Sequence, residues 1–114
     1  MKITITSDLV ASKVNESSAA TFTANFFSDA WVATAPTSAR YRIDDPDSDI
    51  PILDWTTITP ATSSSIAITG AQNAILDDCK RMERRQLTVQ GDTGLDTQYQ
   101  ITKDWWVKNL TGQT

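Results

Sequence analysis

A chain of 114 residues, 39% hydrophobic and 21% charged, has the composition of one globular domain built around one core. A net charge of −4 and a pI near 4.5 argue against nucleic acid as a partner, because phosphate contacts need a basic face. No apolar run approaches the ~20 residues that span a bilayer, so no membrane partner is expected. Histidine is absent, which removes the usual general base and the commonest metal ligand.

The opening MKITITSD alternates Ile3 and Ile5 with Lys2, Thr4 and Thr6, predicting a first strand. It lacks the long apolar core of a signal peptide. Cys79 stands alone, so no intrachain disulfide forms, and synthesis in a reducing cytoplasm is expected. Residues 8–18, with Leu9, Val10 and Val14 as their large apolar side chains, read as an irregular continuation or an edge segment. ATFTANFF is the cleanest strand, with Phe22, Ala24 and Phe26 on one face and Thr21, Thr23 and Asn25 on the other. SDAWVATAPTSA is a loop with Trp31 near its middle.

Residues 40–55, RYRIDDPDSDIPILDW, read as strand, turn and strand. Tyr41 and Ile43 alternate with Arg40, Arg42 and Asp44; DDPDSD breaks the pattern with a proline and with side chains that bond their own backbone. IPILDWTTI resumes extended structure, with Leu53 and Trp55 on the core face. SIAIT, residues 65–69, directs Ile66 and Ile68 inward. In residues 70–84, Ala71, Ile75, Cys79 and Met82 fit helical spacing, while the competing reading is an irregular crossover with 73–76 extended. The crossover is the expectation, because a Greek-key sandwich needs one here. RRQLTVQ follows with Leu87 and Val89 inward, then GDTG as a hairpin turn. In the last strand, residues 97–109, Tyr99, Ile101, Trp105 and Val107 share the core parity and Trp106 takes the other. The tail 110–114 is polar.

These elements predict an all-β chain: an immunoglobulin-like or fibronectin-type sandwich of about seven strands with Greek-key connections. Its single domain covers 1–109, and Phe22, Tyr41, Leu87 and Trp105 place core side chains on four strands.

The residues offer little chemistry. Asp44, Asp45, Asp47 and Asp49 present carboxylates that could hold Ca²⁺, but the turn lacks the glycine and distal glutamate of an EF-hand loop. The plainer reading is a solvated turn with Asp44 or Asp45 paired to Arg40 or Arg42. Asp54 is the one carboxylate to nominate for glycosidase work, against the simpler role of an outward strand residue. Cys79 has no histidine to activate it and reads as a small buried or half-buried hydrophobe. KRMERR, residues 80–85, is the one basic cluster; it could meet an acidic partner, but surface pairing with Glu83 and the acidic turn is the expectation. No catalytic, metal or cofactor residue is therefore assigned. Of the four tryptophans, Trp55 and Trp105 fit the core, while Trp31 and Trp106 are the candidates for a protein interface or for sugar stacking.

TFTANF, the hairpin YRIDD…DWTTITP, the pair SSSIAIT and NAIL, then ERRQLTV and the closing VKNLTG cover most of the chain in order. Their combination resembles a family of small immunoglobulin-like structural proteins of tailed bacteriophages. The resemblance implies a non-enzymatic virion component made in the host bacterial cytoplasm and present in many copies of a symmetric assembly. Its partners would be other virion proteins: the capsid for a decoration protein, the portal and neck, or the tail. It implies no cofactor and carries over no site residue, and WVATAPTSA is the stretch that departs furthest from the family pattern. A carbohydrate-binding sandwich using Trp31 or Trp106 is the alternative from another class.

Overall fold

The computed structural model of the chain describes residues 1–9, 12–77, 79–93 and 98–109. Its strands are β1 (Lys2–Ser7), β2 (Lys13–Asn15), β3 (Ala20–Phe27), β4 (Ser38–Asp45), β5 (Ile50–Ile58), β6 (Ser63–Ile68), β7 (Met82–Asp92) and β8 (Gln98–Lys108). They form two sheets, one in the order β1-β3-β6 and one in the order β2-β8-β7-β4-β5. The all-β, two-sheet expectation holds, with eight strands among the described residues. The addition is β2, which lies parallel to β8 and pairs Lys13 with Trp106 and Val14 with Val107. Val14 is the single side chain of that short strand packed against the core, too little for periodicity to register.

The core lies between the sheets. Ile3, Phe22, Ala24, Phe26, Ile66 and Ile68 from one sheet meet Ile43, Ile58, Leu87, Val89, Trp105 and Val107 from the other. Each strand supplies alternate residues because successive side chains point to opposite faces. Each large apolar side chain buried this way contributes about 1.5–3 kcal/mol. The Phe22 and Trp105 rings meet at the centre with centroids 4.9 Å apart. Tyr41 keeps the predicted parity but is only half-buried; Ala39, Ile43 and Asp45 are the buried residues of β4.

Trp55 departs from the expected core parity. Tyr41 pairs with Thr56 and Ile43 with Leu53, so Arg42 faces two residues of β5. This bulge flips the alternation between Leu53 and Trp55. Leu53 packs against the core, and Trp55 lies beside the outward-facing Arg40 and Arg42, with their guanidiniums 4.1 and 5.5 Å from its ring.

The chain enters the span 70–84, expected as an irregular crossover, through a 3-10 turn at Ala71–Asn73, and β7 already begins inside that span at Met82. The extended backbone expected from Asn73 therefore starts at Ala74. Cys79 is exposed rather than tucked inside. The described residues near it, Asp77, Lys80 and Arg81, belong to no helix or strand. The GDTG turn and the polar tail expected at 110–114 extend outside the described residues.

Two polar networks inside the sandwich fix this crossover. Asn73 is fully buried; its Oδ1 accepts the Trp105 indole N–H at 2.9 Å and its Nδ2 donates to the Ser18 carbonyl at 2.7 Å. A Cβ on Gly70 would come 2.5 Å from the Ser17 carbonyl oxygen, so glycine permits this close approach. Arg85 is the second centre. Its guanidinium meets Asp45 at 3.3 Å, Glu83 at 2.9 Å and the Ala74 carbonyl at 2.7 Å, with all three ionic side chains buried. The Glu83 carboxylate also accepts the Leu76 and Asp77 N–H groups, each at 2.8 Å. The basic cluster is thus not wholly a surface feature: Glu83 and Arg85 follow the inward parity of Leu87 and Val89.

Candidate interaction surfaces

Trp106 follows from the regularity of β8. The β7–β8 register runs without a shift from Asp92↔Gln98 to Met82↔Lys108. Alternation therefore buries Trp105 completely and leaves Trp106 41% exposed. Its cross-strand neighbours are Lys13 on β2 and Arg84 on β7, and Lys108 is two residues along the same face. Lys13 and Lys108 are exposed, while Arg84 is held by Asp47 at 3.1 Å and Asp104 at 3.3 Å. The result is an aromatic side chain with a basic rim, on a chain whose net charge is −4.

Trp31 is 57% exposed beside Val32 at 62%, in the loop between β3 and β4. It has a left-handed backbone, φ 62°, which is rare for a bulky side chain. Ser28 holds the turn: its carbonyl accepts the Trp31 N–H at 2.9 Å, and its hydroxyl accepts the Ala30 and Val32 N–H groups, both at 3.3 Å. Lys2 Nζ sits 4.3 Å above the indole, and the Phe27 ring lies 5.6 Å away. The N-terminal ammonium binds Asp29 at 2.8 Å, and this charge holds the Asp29 carboxyl below the usual carboxylate range.

The structure does not bring the two tryptophans together. Tyr99 lines a groove with Met1, Phe27 and Asp29 at the Trp31 end. Trp106 lies seven residues further along β8, roughly 24 Å at strand spacing. Any partner contacting both must span that length or come as two molecules.

A third feature, missed in the sequence, follows from the Trp55 bulge. Arg40 donates to the Gln90 side chain at 2.8 Å, and Gln90 donates to Gln100 at 2.7 Å, a polar ladder across the outer sheet face. Beside it runs a shallow groove of ≈ 460 Å³ lined by Arg42, Asp44, Trp55, Gln86, Thr88 and Gln100. The outward arginines and glutamines were legible as strand alternation, but the ring above them was not.

Asp44, Asp45 and Asp54 have local partners. Asp45 Oδ1 accepts the Asp47 and Ser48 N–H groups at 3.1 and 3.2 Å, and Asp44 pairs with Arg42 at 2.7 Å. Asp54 is exposed, accepts its neighbour's N–H at 2.7 Å and lies 4.0 Å from Arg42. Among the described residues, no three Cys, Asp or Glu side chains gather in a way that could hold a metal ion. Compared with known proteins, the chain matches no family model, no curated protein and no solved structure.

Proposed function

We propose that this protein is a non-enzymatic structural component of a tailed-bacteriophage particle, a capsid decoration protein docked in many copies on other virion proteins. The observation that carries this reading is the outward Trp106 with its basic rim, beside the fully buried Trp105. An isolated domain gains little from an exposed tryptophan, whereas a docked one uses it as an anchor. The exposed Lys13 and Lys108 fit an acidic patch on the partner.

The resemblance supports the same reading. TFTANF falls on β3, YRIDD and DWTTI on the β4–β5 hairpin, SSSIAI on β6 and ERRQLTV on β7. The strand order also supports the immunoglobulin-like assignment. On that reading β1, β3 and β6 correspond to strands A, B and E, and β8, β7, β4 and β5 to G, F, C and C′. The large buried tryptophan stands on β8, not on the strand equivalent to C where antibody domains carry it.

Carbohydrate binding has less to stand on. Of its two candidate platforms, Trp31 has Lys2 over a ring face on which a sugar would stack. Cryo-electron microscopy of intact particles tests the proposal. Density for this domain on the capsid surface supports decoration; density at the neck or tail moves the protein within the virion; its absence from particles overturns the reading.

A further inference from the structure

The two sheets leave four edge strands: β1 and β6 on one, β2 and β5 on the other. An exposed edge offers unpaired backbone groups to any passing strand, and proteins blunt it with charge, proline, bulges or brevity. Three edges here carry such devices. β5 contains Pro51 and Asp54 and has two register shifts. β2 has three residues and begins on Lys13. β1 begins on Lys2 and runs into Asp8.

β6 carries none of them. It pairs with β3 in unbroken register over six residues, and from Trp55 through Leu76 the chain has no charged residue. Thr62 accepts the Phe26 N–H at 2.9 Å, which fixes the alternation of the ladder. Ser64, Ile66 and Ile68 therefore turn their backbone groups to β3, and Ser63, Ser65 and Ala67 turn theirs to the edge. Among the described residues no other strand pairs there. An open groove of ≈ 440 Å³ runs between this edge and β5, lined by Thr57, Thr59, Ser63, Ser64, Ser65 and Ile66.

We propose that β6 is a self-association edge, pairing antiparallel with β6 of a second copy of this chain. Centred on Ser65, the pairing matches Ser63 with Ala67 of the other copy and joins the two three-stranded sheets into one. The outward side chains in that register are serine and alanine, small enough for two edges to approach. The edge is its own complement: in the twofold register about Ser65 small, uncharged side chains face each other. Two molecules of net charge −4 repel, and the charge-free stretch 55–76 that carries β6 is the place where they meet without like charges in contact. This inference stands apart from the virion reading.

Sedimentation velocity of the full chain from about 1 to 100 µM tests it, a range that brackets a micromolar Kd. The expected result is a shift from monomer to dimer as concentration rises. Ser65→Pro removes an edge N–H that β3 does not use, and Ser65→Lys sets two like charges opposite each other at the centre of the register. Both variants should stay monomeric, with far-UV circular dichroism unchanged for Ser65→Lys. A wild type that remains monomeric throughout the range overturns the proposal, as does a dimer that survives Ser65→Lys.

Discussion

The indole N–H of Trp105 donates to the side-chain oxygen of Asn73 across 2.9 Å, inside a core that holds both residues at zero exposure. The bond ties the last strand to the crossover, and the Asn73 amide ties both to Ser18 at 2.7 Å. Three distant stretches of chain thus meet at one side chain. Asn73→Ala would strand a buried donor on Trp105 and a half-buried acceptor on Ser18. The expected cost is about 2–4 kcal/mol, read from urea denaturation, since each orphaned group costs about 1–3 kcal/mol.

Arg85 makes a comparable prediction on the other polar centre. Replacing it with methionine keeps most of its volume but leaves Asp45 and Glu83 as buried carboxylates without their cation. Breaking such a group from one side costs about 3–5 kcal/mol, far more than an exposed pair. Arg84→Met, one residue away on the outer face, should cost about 1 kcal/mol or less by the same measurement.

Glu83 gives the pH dependence. Burial alone would raise its pKa, but the N–H groups of Leu76 and Asp77 and the Arg85 guanidinium outweigh that and hold it below the usual carboxylate range. A carboxyl whose pKa is depressed on folding adds stability above its unfolded value and loses it as pH falls through the folded one. Glu83→Gln should therefore destabilise the protein by a constant amount above about pH 5, with the difference shrinking below about pH 4. Thermal melts of the two proteins across that range check it; a gap that widens toward acid contradicts the assignment.

The contrast between Trp55 and Trp105 tests the bulge. Trp105→Ala should cost about 3–5 kcal/mol, as for other buried aromatics. Trp55→Ala removes an outer-face ring and its arginine contacts, each worth about 0.5–1 kcal/mol when exposed, and should cost about 2 kcal/mol or less. Equal costs would place Trp55 in the core after all.

Much of the sandwich was legible from alternation. Phe22, Ala24 and Phe26, then Ile66 and Ile68, then Leu87 and Val89 are all buried where their parity placed them. The same rule reached further than composition suggested: Arg85 and Glu83 keep the parity of Leu87, and their charge alone made them look like surface residues. What alternation could not give is the pairing of one strand with another. The bulge opposite Arg42 exists only as a count of two residues against one across the ladder, so alternation alone puts Trp55 on the wrong face. Asn73 lies off the helical spacing of Ala71, Ile75, Cys79 and Met82, and its role depends on Ser18 and Trp105, which are far from it in sequence. Trp31 and Trp106 were both legible as outward tryptophans, but the roughly 24 Å between their ends of the sheet appears only once the strands are placed.

On the proposed reading, Trp106 serves assembly and not the isolated fold. Trp106→Ala should leave the melting temperature of the purified domain within a degree or two of the parent. Its incorporation into particles, measured by quantitative mass spectrometry of purified virions, should fall at least about tenfold, the effect of losing roughly 1.4 kcal/mol or more at a docking anchor. Normal incorporation of the folded variant, or a melting temperature that collapses as it does for Trp105→Ala, would contradict the account.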